Sequence, residues 1–157
     1  MSFLLCHLSS KQQNLVDHSN AHRTLLFDLY KLEWSDELLK LFDIDKKLLP
    51  ACQPVQSRYG TLMDTGIPIS AVSGDQNAAL FSQGAIPQDT AIVNLGTGAF
   101  ILAPCKTSLK TCKLLQGIAR SNSHTEYLIE GTVNGAGAAI SWAEHQWPVA
   151  DLYPNLA

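Results

Sequence analysis

The sequence predicts an α/β protein, helical for most of its first half and β-rich in its second. Three observations carry this. Segments such as "SDELLKLF" in the first half place apolar residues at helical spacing. From Thr90 onward, β-rich runs alternate with short turns, as in "TAIVNLGTGAFILAP". Between them, the strand-like "IPISAVSG" stops on Gly74-Asp75-Gln76, where the apolar "AALF" of a helix begins. The 157 residues are 46% hydrophobic and 16% charged, enough apolar material for a real core and too little charge for a disordered chain.

Charge and composition exclude several classes. A net charge of −3 offers no basic field for nucleic acid or anionic lipid. No apolar run approaches the ~20 residues of a membrane-spanning helix. "MSFLLCHL" is too short for a signal peptide and has no basic n-region, so a cytoplasmic protein is expected. Cys6, Cys52, Cys105 and Cys112 form no C-x-x-C pair and fit no common zinc spacing, which favours free thiols. His18 and His22 could share a helix face, but no third ligand stands near them in sequence, and no metal-ligating residue is assigned.

The elements are expected in the following order. "SFLLCHL" is the tail of a helix that starts without a cap. Asp17 or Ser19 caps a short helix from Asn20 to about Leu29. Ser35 caps the next, with Leu38, Leu39 and Phe42 as its apolar stripe and Asp36 and Glu37 in its first turn. "DKKLLP" is one further turn, stopped by Pro50. Residues 51–66 read as a connection, residues 67–74 as a short buried strand, and "QNAALFSQG" as a helix closed by Gly84. An antiparallel hairpin then turns on Gly96, Thr97 and Gly98. "LLQGIARS" and "TEYLIEGTV" supply two more strands, and "NGAGAAISWAEHQW" a helix whose small-residue face suits close packing on a sheet. The boundary between the two textures falls at residues 84–88.

Two places carry chemistry. Asp75 is either a helix N-cap or a carboxylate at the carboxyl end of a strand, where α/β proteins place ligand-handling groups. The Gly96-Thr97-Gly98 turn lets an anion approach the backbone without side-chain clash, and the threonine hydroxyl can donate to a phosphate oxygen. No G-K-[ST] follows the turn and no G-x-G-x-x-G is present, so neither a Walker loop nor a dinucleotide fingerprint applies.

The order of the blocks "DHSNAHRTLLFD", "WSDELL", "LLP", "IPISAVSGDQNAALFSQG", "NLGTGAFIL" and "EGTVNGAGAAISWA" resembles the FGGY carbohydrate kinases, most nearly their glycerol-kinase-like members. The resemblance runs from about Ser2 to Trp142. It implies part of an actin-like ATPase fold, with two ribonuclease-H-like domains around a cleft. Residues 1–84 would be the end of the first domain, on the substrate side, and residues 85–157 the start of the second, on the ATP side. It implies that Asp75 is the general base that takes a substrate hydroxyl proton and, with Gln76, binds the sugar or polyol. It implies that Gly96, Thr97 and Gly98 lie at the phosphates of ATP, which is used with Mg2+. A proton acceptor beside a positioned alcohol, with donors around the phosphates, is what phosphoryl transfer requires.

The resemblance also implies an incomplete set of parts. The family's first phosphate motif would precede Met1, and its adenosine motif would follow Ala157. The connection from residue 60 to 67 is shorter than the family's. A non-catalytic fragment, or a module needing a partner chain, is therefore the competing reading, with association through surfaces left uncovered. A different actin-fold ATPase fits less well, because Gly-Asp-Gln points to a hydroxylated substrate. Gln76 rather than Asn after the acid favours a glycerol-like over a xylulose-like acceptor. Trp34, Trp142 and Trp147 are expected to pack, and Arg23 and His22 to lie at the surface or in salt bridges; Asp17 and Asn20 belong to a block of the resemblance, and no catalytic role is carried onto them.

Overall fold

The computed structural model describes residues 1–82, 84, 89–105 and 114–146. Cys112, Trp147 and most of the expected boundary at residues 84–88 lie outside them.

Helix α1 (Ser2–Leu8) starts without a side-chain cap and buries Leu5, while Phe3, Leu4 and Leu8 stay exposed. Strand β1 (Leu15–Asp17) is buried throughout and pairs in parallel with β4 (Ala51–Gln53), Val16 opposite Cys52. Residues 51–66 are thus not only a connection. Three residues between Pro50 and Pro54 are too few to show a strand pattern, and pairing with distant β1 makes the strand.

The helix expected over residues 20–29 is shorter and begins earlier. Asp17 caps α2 (His18–Ala21), a 3-10 turn follows at His22–Thr24, and Leu25 at φ +63° ends it. The chain leaves as β2 (Phe27–Asp28), antiparallel to β3 (Glu33–Trp34). That early exit carries Phe27 into the core edge-on to Trp34, ring centroids 6.1 Å apart, and this burial outweighs helix propensity. Helix α3 (Asp36–Leu41) is capped as expected, Ser35 Oγ accepting from Leu38 N at 3.3 Å. Of its expected stripe, Leu39 is buried, Leu38 half-buried and Phe42 exposed. A 3-10 turn at Lys46–Leu48 ends before Pro50.

Residues 67–74 do not form a strand. Single bonds hold them to the segment before, Ile69 N to Gly60 O at 2.8 Å and Val72 N to Val55 O at 2.9 Å, and only isolated bridges result. Pro68 has no N–H to continue a ladder. Val72 is buried but Ile67 is exposed, so "buried strand" is wrong for this run. Helix α4 (Asp75–Ala79) follows at once and is shorter than expected. Turn residues follow as far as Ser82, and Gly84, at φ +92°, donates its amide to Phe81 O at 3.0 Å.

The second half is an antiparallel sheet in the order β5 (Ile92–Leu95), β6 (Ala99–Cys105), β8 (Thr125–Val133), β7 (Leu115–Ser121). The expected hairpin is present, with Leu95 opposite Ala99 across Gly96, Thr97 and Gly98. Helix α5 (Ala136–Gln146) forms but buries no residue among those described. Only its first turn is tight: Gly137 N donates to Thr97 O at 3.0 Å, and a Cβ on Gly137 would lie 2.5 Å from Gly96 O. The close packing expected along its small-residue face is therefore confined to the hairpin turn. Trp34 packs as expected, whereas Trp142 is 58% exposed.

The two halves share their cores. Ile118 of β7 is buried with Val16, Ala21, Phe27, Trp34, Leu39 and Val55. Leu80, just after α4, is buried with Leu102, Ala119 and Leu128 of the sheet. The short helix that begins at Asp75 is thereby set against the β-rich half rather than apart from it.

Candidate active site

Asp75 is the first residue of α4 and is exposed. The N-cap position belongs to Gly74, so capping does not account for the carboxylate. Asp75 Oδ1 accepts only the adjacent amide, Gln76 N, at 2.8 Å among the bonds of the described residues.

The start of α4 is pinned from the first half of the chain. Gly74 N donates to Ser19 Oγ at 2.9 Å, and the Ser19 hydroxyl donates to the Asp17 carboxylate. Asp17 is fully buried and also accepts from Asn20 N at 3.0 Å and Asn20 Nδ2 at 2.6 Å. From the other side, Asn77 Nδ2 donates to Ile118 O of β7 at 2.5 Å. The helix that carries Asp75 and Gln76 is thereby held between the "DHSN" block and the sheet.

Gln76 lines a cleft of about 250 Å3 with Asn94, Gly96, Thr97, Gly98 and Phe100. Gln76 Oε1 is buried without a partner among the described residues, an acceptor with nothing yet to accept. Asp75 stands one residue before Gln76 and is not itself in that lining. At the turn, Gly96 N donates to Gly98 O at 2.7 Å, so this amide is already committed. A Cβ on Gly98 would come within 3.1 Å of Val133 O, which is why glycine stands there. Gly96 faces open space apart from Gly98 O at 3.8 Å, and a ligand can approach its backbone. A larger cleft of about 420 Å3 is lined by Lys11, Gln13, Arg58, Gly60, Thr61 and Pro68 among others, with no carboxylate and no candidate site residue among its described lining.

Sequence reasoning missed Asn94 and Gly137, and took Ser19 only as a possible helix cap. Asn94 is the single polar residue of β5, a readable signal in "IVNL". Ser19 and Gly137 act through contacts that sequence spacing does not show.

His18 is buried and His22 half-buried. Burial pushes the His18 imidazole below its usual value, against the pull of Asp17, and its Nδ1 lies 3.1 Å from Ser121 Oγ. His22 is also pushed down, by burial first and by Arg23 second, and it packs where a Cβ on Gly117 would be 2.8 Å from its Nε2. His22 Nδ1 sits 3.4 Å from His18 O, and the described residues contain no group of three or more potential metal ligands. Arg23 makes the expected salt bridge, donating to both oxygens of buried Glu130, at 3.2 and 2.5 Å. Cys6 and Cys52 carry free thiols.

Known proteins are similar to this chain in sequence and in fold. The model of the FGGY family of carbohydrate kinases, N-terminal domain, matches residues 1–82. Glycerol kinase 1 of Clostridium tetani is 37% identical over 150 residues, covering 90% of this chain and 30% of that protein. The glycerol kinase of Thermococcus kodakarensis is 40% identical over 147 residues, covering 90% of this chain and 29% of that protein. The crystal structure of Plasmodium falciparum glycerol kinase with ADP superposes with a TM-score of 0.85 at 29% identity, over 96% of this chain and 32% of that one. Xylulose kinase from Lactobacillus acidophilus shares the fold, with a TM-score of 0.76 at 22% identity over 91% of this chain and 30% of its own. These superpositions put the α/β chain in the actin-like ATPase, ribonuclease-H-like class. The chain spans about 30% of the length of the glycerol kinases it matches. A family model over residues 1–82, glycerol kinases aligned beyond it, and the Gly-Asp-Gln start of α4 agree: the chain belongs to the FGGY family of carbohydrate kinases.

Proposed function

We propose that the chain supplies the acceptor side and one phosphate turn of an ATP-dependent kinase acting on a polyol or sugar hydroxyl, with a glycerol-like acceptor favoured. The observation that carries this reading is the shared cleft: Gln76, adjacent to the carboxylate of Asp75, faces Gly96, Thr97 and Gly98 across it. Asp75 takes the proton of the attacking hydroxyl. It is exposed at a helix start, and a carboxylate there can be reached by a substrate. Gln76 binds substrate hydroxyls, and its orphaned Oε1 is a ready acceptor for one.

The residues present fit a nucleotide's phosphates at the turn. Gly96 leaves its backbone approachable, and because its N–H is committed, the Thr97 hydroxyl and the amides after it are the donors assigned to an anion. ATP with Mg2+ supplies the phosphoryl group, and no residue here is assigned to the metal. The Plasmodium falciparum glycerol kinase that superposes on this chain was crystallised with ADP, which supports a nucleotide on this fold. We assign residues 1–84 to the first domain and 85–157 to the second, in keeping with a family match that ends at residue 82. No helix among the described residues is long and apolar enough to cross a membrane, and the free thiols of Cys6 and Cys52 fit a cytoplasmic setting.

A second reading, a module that works only with further polypeptide, is favoured by exposed apolar residues on the sheet, Val93, Leu95, Ile101 and Val133. One experiment separates the two. Glycerol and ATP-Mg are titrated separately into isotope-labelled chain, and turnover is followed in parallel. Shifts at Gln76 with glycerol and at Thr97 with nucleotide support the site. Shifts at neither overturn it. Sustained turnover by this chain alone, abolished in Asp75→Ala, would refute the module reading and leave the base in place.

A further inference from the structure

We propose that Ser19, oriented by Asp17, is a positioning residue for this site: its hydroxyl fixes the Gly74 amide and so sets where α4 presents Asp75 and Gln76. The inference rests on the reading of Asp75 and Gln76 given above.

The physical basis begins with Asp17. Its carboxylate is wholly removed from water, and a buried carboxylate has to be met by donors. Asn20 supplies two, through its backbone and its side chain, and Ser19 the third. A serine hydroxyl has one proton to give. Once given to Asp17, Ser19 Oγ presents only lone pairs elsewhere, and Gly74 N meets them at 2.9 Å. Asp17 therefore decides that Ser19 accepts from Gly74 and does not donate away from it. The Ser73 hydroxyl, 3.4 Å from Ser19 Oγ, closes the cluster. A Cβ on Gly74 would lie 3.4 Å from Asn77 Oδ1 and 3.9 Å from both Asn20 Oδ1 and Ser19 Oγ, so the junction is lined by polar side chains from both blocks. Residues 67–74 form no strand, their nearest main-chain tie to the segment before is Val72 N to Val55 O at 2.9 Å, and the Ser19 bond ties the last peptide before the helix to the "DHSN" block.

Amide exchange and resonance shifts in the labelled chain test this. In the unmutated chain the Gly74 amide is protected from exchange. Ser19→Ala lowers that protection about tenfold and moves the Gln76 amide and side-chain resonances, while the amides of Leu102 and Leu128 keep theirs. Ser19→Thr, which retains a hydroxyl, restores both. An unprotected Gly74 amide in the unmutated chain overturns the proposal, as do unchanged Gly74 exchange and Gln76 resonances in Ser19→Ala. Loss of protection at Leu102 and Leu128 as well would make Ser19 a general structural residue, and that too overturns the positioning role. Glycerol added to the unmutated chain isolates the underlying reading. If Gln76 does not respond to glycerol, the functional reading fails while the link from Ser19 to Gln76 is still judged by exchange.

Discussion

Removing the Arg23 side chain is the perturbation that best tests how the two halves are joined. Glu130 of β8 is only 4% exposed, and Arg23 reaches both of its oxygens from the 3-10 turn after α2. Truncating one partner of a buried ion pair leaves an uncompensated charge, at a cost of about 3–5 kcal/mol. The Arg23 side chain is itself 39% exposed, so water reaches the pair and the low end applies, about 3 kcal/mol. For a domain of this size that is a fall in Tm of roughly 6–12 °C. The reverse change is cheaper. Glu130→Gln keeps the shape and removes the buried charge, and the arginine it abandons can turn to water, so the cost should stay near ~1 kcal/mol.

Urea unfolding of the two single variants and the double variant measures this asymmetry and the coupling between the residues. Arg23→Ala is expected to cost more than Glu130→Gln by about 2 kcal/mol, and in the Glu130→Gln background Arg23→Ala should cost little more. Equal losses, or a loss below ~0.5 kcal/mol for Arg23→Ala, would refute the claim that a desolvated carboxylate is what the pair protects.

Two further outcomes follow from the same contacts. Gly137→Ala places a methyl against Gly96 O, where backbone has to shift; a loss of about 1–3 kcal/mol with resonance shifts at Gly96 and Thr97 is expected, and unchanged melting and spectra would count against the contact. Stability should fall as pH drops from about 6.5 to 5.5 because His18 and His22 are held below the usual 6.5 by burial: the unfolded chain binds their protons first, so their contribution is present above about 6.5 and is lost as pH falls toward the folded values. Asp17 and Glu130 oppose this and Arg23 assists it at His22. A Tm that is flat across that window would show that the two imidazoles are not buried in the neutral form.

What was legible in the sequence was local. Ser35 with two acids behind it caps α3, and Gly96-Thr97-Gly98 between β-rich runs makes a hairpin, because backbone chemistry within a few residues decides both. What was misread is decided at long range. The pairing of β1 with β4 links residues 36 apart in register. Residues 67–74 look like a strand by composition, yet Pro68 and scattered single bonds deny them a ladder. The helix after Asp17 is cut short because Phe27 has a core to enter. At the site, Asp75, Gln76 and the glycine turn were named from residue type and order. Asn94 was not, and Ser19 was taken only as a possible cap, since a hydroxyl 55 positions away in sequence from the amide it holds leaves no periodic trace.

The same contacts bear on what the chain can do alone. A general base contributes about 10²–10⁴-fold, whereas enzymes typically accelerate reactions by ~10⁶-fold or more, the rest coming from positioning and from charge stabilisation around the phosphates. On the proposed reading, the acceptor side is α4, held by Ser19 at its N-cap glycine and by Ile118 through Asn77 in its middle. The proposed phosphate contact among the described residues is the Gly96–Gly98 turn, with one amide already spent, backed by the first turn of a helix that buries none of its described residues. On that reading, this turn supplies less of the electrostatic stabilisation than the α4 side supplies of base and acceptor binding. The chain is expected to bind an alcohol better than it transfers a phosphoryl group to it. Further polypeptide covering Val93, Leu95, Ile101 and Val133 would act first on the turn, because Val93 and Leu95 belong to the strand that enters it, Ile101 to the strand that leaves it, and Val133 O is the atom against which Gly98 is packed.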